Sequence, residues 1–92
     1  MTPEELAALS ARAYRHMTPW SAEAFAAALA RPQSLLTYNA QAFVLGVVVA
    51  GEAEILALAS APEAQRQGHA SQALKAFHTA AQARGATRVV LE

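Results

Sequence analysis

The sequence predicts an α+β fold, an α/β sandwich of helices on a mixed sheet, and three observations carry that expectation. Two capped helical segments come first. A valine-, leucine- and isoleucine-rich stretch too short to cross a bilayer follows them. An alanine-rich helix then separates this stretch from a last β-branched run, so the final strand should lie parallel to an earlier one.

The first helix is announced by Thr2-Pro3-Glu4-Glu5: an N-cap hydroxyl, a proline at the first helical position and a glutamate able to return to the cap amide. It should run from Pro3 to about Arg15, burying Leu6, Leu9 and Ala13 with Tyr14 beside them, while Glu4, Glu5, Arg12 and Arg15 stay in water. Thr18-Pro19-Trp20-Ser21 redirects the chain, because proline disfavours helix at Thr18 and Ser21 offers a second cap. A second helix should span Ala22 to about Ala30.

Arg31-Pro32-Gln33 ends that helix, and two strands, Leu35–Tyr38 and Gln41–Ala50, should flank a turn at Asn39-Ala40. The segment FVLGVVVAGEAEILALAS reads as a hairpin broken at Gly51-Glu52. Its second arm, Glu54–Ser60, is apolar on both faces and is expected to be a central strand covered on both sides. The third helix is expected from His69 to about Arg84, with Ala70, Leu74, Phe77 and Ala81 inward and Gly85 at its end. Arg88–Glu92 is the last strand.

Composition narrows the function. Of the 92 residues, 54% are hydrophobic, mostly alanine, and seven basic residues cancel seven acidic ones without forming a basic cluster. A nucleic-acid backbone or an anionic membrane therefore finds no electrostatic footprint, and neither is an expected partner. The absence of cysteine excludes disulfides and thiolate chemistry and fits a reducing cytoplasm, the expected location. No aspartate is present, which removes a Ser-His-Asp triad, and His16, His69 and His78 lack ligand spacing, so no metal is expected. The start, Met1-Thr2-Pro3-Glu4-Glu5, lacks the pattern of a signal peptide. With no repeat, low-complexity tract or linker, residues 1–92 read as one domain.

The loop before the third helix is the chemically informative segment. Gln65-Arg66-Gln67-Gly68-His69-Ala70-Ser71 opens a helix with no acidic cap, and a helix N-terminus presents bare amides at the positive end of the macrodipole. Gly68 lets backbone approach a ligand, Ala70 keeps the next contact small and Ser71 adds a hydroxyl, so several donors could converge on a phosphate. The simpler alternative is a glycine turn before an ordinary helix. Neither the G-x-x-x-x-G-K-[ST] nor the G-x-G-x-x-G loop occurs.

Gln65, Gly68 and Ala70 match the [Q/R]-x-x-G-x-[G/A] motif, and the chain resembles the GNAT acetyltransferases, whose loop holds the pyrophosphate of acetyl-coenzyme A. TPWSAEAF from Thr18, EAEILALASAPEAQRQGHASQAL and ARGATRVVLE further resemble the RimI-type members, which acetylate the amino terminus of a ribosomal protein. The resemblance covers nearly the whole chain in order and spacing. Ser60 and Ala61 replace the usual valine and acidic residue before the motif's proline, and Ala70 stands for its second glycine.

The resemblance implies acetyl-coenzyme A as co-substrate and assigns roles. Backbone groups of Leu58, Ala59 and Ser60 would pair with the pantetheine arm, their side chains serving as core. Gln65, Arg66, Gln67, Gly68, His69, Ala70 and Ser71 would surround the pyrophosphate, Arg66 by its charge and His69 by its amide. Glu92 corresponds to the family's base on its fifth strand and Glu54 is the second candidate, with a solvated strand-end carboxylate as the alternative for each. Trp20 is a packing anchor, with acceptor contact as the alternative.

Family members continue through a further helix and two strands, and that helix carries a tyrosine thought to protonate the departing thiolate. Neither Tyr14 nor Tyr38 corresponds to it. The domain is thus expected to be incomplete, and its exposed sheet edge is expected to favour a homo-oligomer. The implied reaction is acetyl transfer to an amine, foremost a protein α-amino group. The alternatives are a small-molecule amine, or an inactive fragment acting as a binding module.

Overall fold

In a computed structural model, Thr2 and Glu5 form the reciprocal capping box that opens helix α1 (Pro3–Ala13). The Glu5 amide donates to the Thr2 hydroxyl at 3.1 Å and the Thr2 amide donates to the Glu5 carboxylate at 2.8 Å. The hydrogen bond from the Thr2 backbone holds the Glu5 carboxyl below its ordinary value. The structure describes residues 1–14, 19–64 and 67–91. Ser21 caps α2 (Ala22–Leu29) by accepting from the Ala24 amide at 3.1 Å.

Strands β1 (Ser34–Tyr38), β2 (Ala42–Val49), β3 (Glu52–Ser60) and β4 (Arg88–Leu91) form one sheet in sequence order. The first three are antiparallel; β4 returns parallel to β3 after a 3₁₀ turn (Pro62–Ala64) and helix α3 (His69–Ala83). Helices cover both faces. Leu6, Leu9 and Phe25 pack with Phe43, Leu45, Ala57 and Ala59 on one side. Ala73, Phe77 and Ala81 pack with Leu35, Val44, Ala53 and Ile55 on the other. Trp20 leans on Phe25 at 5.2 Å between ring centroids, and Phe25 meets Phe43 edge-on at 5.6 Å, joining α2 to the sheet as the sequence suggests.

The fold class, element order and parallel last strand follow the sequence expectations; several boundaries differ. Helix α1 ends at Ala13 rather than near Arg15, because Tyr14 takes an extended backbone (φ −93°, ψ 112°). Helix α2 ends at Leu29, with Ala30 as its cap, and α3 ends at Ala83, with Arg84 as cap and Gly85 following at φ 90°. The hairpin reverses at Ala50-Gly51, not at Gly51-Glu52, since these two residues carry φ of 53° and 80° between Val49 and Glu52. Strand β3 consequently begins two residues before Glu54. The expected end of the last strand at Glu92 lies outside the described residues.

A bulge divides β3. Leu45 pairs with Ala57 and Gly46 with Ile55, leaving Leu56 as the extra residue. The consequence is a change of face: Ala53 and Ile55 point toward α3, whereas Ala57 and Ala59 point toward α1 and α2. Gly46 lies opposite the bulge because nothing larger fits. A Cβ there would stand 2.3 Å from the Glu54 carbonyl oxygen and 2.7 Å from the Phe77 ring. One polar group is out of place: the fully buried Ser10 hydroxyl has no hydrogen-bond partner among the described residues.

Two substitutions test these features. Gly46→Ala should destabilise the protein by about 3 kcal/mol in denaturant titration, through forced overpacking. Phe77→Leu should not rescue it, because the backbone oxygen of Glu54 remains in the way. Ala50→Asn should stabilise by about 0.5–1 kcal/mol, since the turn demands positive φ at that position and asparagine tolerates it better than alanine.

Candidate functional site

Helix α3 starts from Gly68 in the left-handed conformation (φ 81°, ψ 5°), with no side-chain cap and no acidic residue in the first turn. Its hydrogen-bond ladder begins with the Gln72 amide donating to the Gly68 carbonyl at 2.9 Å. The amides before Gln72 therefore project from the helix end without intrahelical partners. The space in front is open: a Cβ on Gly68 would meet nothing within 4 Å. Gln67, Gly68 and Ser71 are exposed, and His69 and Ala70 are half-buried. Gln65 and Arg66 lie outside the described residues.

This helix end is held by groups from the sheet. The Asn39 side-chain amide donates to the His69 carbonyl at 2.9 Å, while its oxygen accepts from the Gln41 amide at 2.9 Å. The Thr37 hydroxyl donates to the Ala73 carbonyl at 2.8 Å. Sequence reasoning read Asn39 only as a turn residue and passed over Thr37; no local pattern pairs either with a helix some thirty residues onward. On the α1 side, Arg12 pairs with Glu63 in the turn that leads to the loop. The hydrogen bond from Arg12 holds the Glu63 carboxyl below its ordinary value.

The second part of the site is the stretch of β3 beyond its described rungs with β4. Rungs between β3 and β4 run from Glu52–Arg88 to Ile55–Leu91 and are not continued by the described residues past the bulge. The Ala61 amide donates to the Gln41 carbonyl at 2.7 Å, extending the ladder with β2. Antiparallel alternation then turns the backbone groups of Ala57 and Ala59 toward β2 and those of Leu58 and Ser60 toward the open edge. Of the three consecutive residues singled out in the sequence, Leu58 and Ser60 face outward and Ala59 pairs with Phe43. The Leu58 carbonyl accepts a hydrogen bond from the Tyr14 hydroxyl at 2.7 Å, a contact that sequence reading missed.

Glu54 is half-buried and pairs with Val47 and Val90, two positions before the bulged Leu56. Glu92 lies outside the described residues. Beside the bulge, Trp20, Ala24, Ala27, Ala28, Arg31 and Leu56 line an open cleft of about 410 Å³. Its walls are apolar apart from Arg31. No group of three His, Asp or Glu side chains that could hold a metal occurs among the described residues, and no described helix is long and apolar enough to cross a membrane.

An uncapped helix end lies beside a bulged strand whose outward backbone groups have no partner among the described strands, an arrangement with the chemistry to take an extended, anionic ligand. The family model described as the acetyltransferase (GNAT) family matches residues 5–92, and the chain belongs to that family. Its members take acetyl from acetyl-coenzyme A.

Among solved structures, the chain is similar to the ribosomal-protein-S18-alanine N-acetyltransferase from Escherichia coli. That match has a TM-score of 0.81 at 29% identity, over 97% of this chain and 59% of that one. The chain thus spans less than two thirds of that enzyme's length. An aminoglycoside acetyltransferase from an uncultured soil metagenomic sample shares the fold at TM-score 0.76 and 17% identity, covering 100% of this chain and 75% of that one. An aminoglycoside 6′-N-acetyltransferase from Acinetobacter haemolyticus does so at 0.73 and 14%, covering 97% and 71%. A search of the curated proteins matches none.

Gly68→Val separates folding from ligand approach. It should fold, because its side chain enters open space, at a strain of about 1–2 kcal/mol from the positive φ. It should also abolish any rise in melting midpoint that the unsubstituted chain shows with acetyl-coenzyme A, measured by thermal denaturation with and without the coenzyme.

Proposed function

We propose that this chain forms the coenzyme-binding portion of a GNAT N-acetyltransferase that transfers acetyl from acetyl-coenzyme A to the N-terminal α-amino group of a protein, with a ribosomal protein as the favoured acceptor. The observation that carries the reading is the uncapped, left-handed Gly68 start of α3 beside a β3 edge whose Leu58 and Ser60 backbone groups face outward. The residues fit the coenzyme. The amides of His69, Ala70 and Ser71 would hold its diphosphate, with Gln67 beside them and Gln65 and Arg66 as further proposed contacts. Leu58 and Ser60 would pair with the amides of its arm, and Ala59 would keep that stretch of strand on β2.

Bound there, the coenzyme supplies the acetyl group as a thioester. The chain's own task is to present a neutral amine. An ammonium must release a proton before its nitrogen can form the new N–C bond, and a carboxylate, directly or through water, is the group suited to accept it. Glu54 and Glu92 are the proposed bases. Glu54 precedes the bulge on a stretch of β3 whose Ala53 and Ile55 point to α3, so alternation turns it toward the α1–α2 face.

The cleft beside the bulge supports a protein acceptor over a polycationic one. Its lining is apolar and its charged side chain is Arg31, which repels a substrate carrying several ammonium groups. Likeness to the Escherichia coli enzyme supports the same choice. The second reading, a small-molecule amine as acceptor, has the shared fold of the aminoglycoside enzymes behind it.

Parallel assays with an alanine-initiated peptide, a polyamine and an aminoglycoside decide between these acceptors. The peptide should be acetylated at least about tenfold faster at equal concentration, a preference equivalent to about 1.4 kcal/mol. Equal or lower rates with the peptide would sink the protein-acceptor reading.

A further inference from the structure

The Tyr14 hydroxyl donates to the Leu58 carbonyl at 2.7 Å, at the strand position where the open edge begins to face outward. Tyr14 caps the C-terminus of α1, is half-buried and packs against the core between α1, α2 and the sheet. It therefore reaches the edge from the α1–α2 face, opposite the face covered by α3. Among the described residues, it is the side chain that hydrogen-bonds to the outward backbone of β3.

This contact changes what the strand can offer. A phenol has one proton and oxygen lone pairs, and here the proton is committed to a backbone carbonyl. The oxygen is left as an acceptor, so it can meet a ligand only through that ligand's N–H or O–H. At Leu58 the outward amide remains a donor, suited to a carbonyl group, while the phenol oxygen beside it suits an amine. The two chemistries needed by an acyl carrier and an amine thus meet at one strand position, with the amine's partner on the α1–α2 side.

We infer that Tyr14 is a positioning residue for the acceptor amine: its hydroxyl, oriented by the Leu58 carbonyl, accepts a hydrogen bond from the amine and holds it at the break in β3. This rests on the acetyltransferase reading above. The ligand class is a primary amine with at least one free N–H. Conversion of that amine to an N-acetyl amide leaves one N–H but removes the positive charge that strengthens this hydrogen bond, which favours release of the acetylated acceptor.

The test uses the full chain with coenzyme A present, and calorimetric titration of an alanine-initiated peptide and its N-acetylated form. Tyr14→Phe keeps the ring in the core and removes only the hydroxyl. It should weaken the free-amine peptide by about tenfold, the loss expected for a hydrogen bond to a charged group. The N-acetylated peptide and the midpoint shift with acetyl-coenzyme A should be unchanged.

Four results would overturn the inference: unchanged affinity for the free amine, equal weakening of both peptides, a several-fold gain in coenzyme affinity, or no free-amine binding by an unsubstituted chain that binds coenzyme. Absence of any coenzyme shift in the unsubstituted chain would instead remove the acetyltransferase reading itself. Should Tyr14→Phe fail to fold, the carbonyl carbon resonance of Leu58 in the unsubstituted chain makes the same decision. It should shift with the free-amine peptide and not with the N-acetylated one; equal responses would count against the proposal.

Discussion

The fit of Gly46 against the bulge in β3 is the constraint on which the rest of the structure depends. Leu56 is an inserted residue, and the strand accommodates it by bringing the Glu54 carbonyl and the Phe77 ring into the space where a Cβ on Gly46 would stand. The insertion exchanges the faces of β3. Alanines after the bulge then serve the α1–α2 core, Ile55 before it serves the α3 core, and both layers are filled from one strand. Without the insertion, regular alternation would aim Ala57 and Ala59 at α3.

Described rungs between β3 and β4 run from Glu52–Arg88 to Ile55–Leu91, and the backbone of Leu58 and Ser60, turned away from β2, lies beyond them along β3. A strand edge of this kind is a template for an added extended ligand. Helix α3 then completes the arrangement from the other end of the loop. Asn39 and Thr37 hold carbonyls of its first turns, so the bare amides at Gly68 are kept at a set position relative to the sheet. On the proposed reading, one face of the sheet serves the coenzyme's diphosphate and the opposite face brings the amine.

Much of this was legible along the chain. Caps at Thr2 and Ser21, the valine-rich hairpin and the uncapped loop before His69 are local signals, and each element they predict is present. The errors are local as well. Alanine gave no warning that Ala50 would take a positive φ, because it is a good helix former with little preference for such a turn. Tyr14 seemed to continue the stripe of α1, yet its backbone leaves the helix and its hydroxyl is bound to a strand 44 positions away.

Sequence by itself determined the fold class, the order of elements, the family and the glycine loop, because these depend on periodicity, capping and short motifs read within a few residues. Tertiary structure alone decided where β3 bulges, that Leu58 and Ser60 rather than Ala59 face outward, that Asn39 and Thr37 anchor α3, and that Tyr14 meets the Leu58 carbonyl. A strand as uniformly apolar as ILALA looks the same in either register and on either face. Only packing between two covered faces, with glycine at the one point of contact too close for a side chain, selects the insertion and with it the geometry of the site.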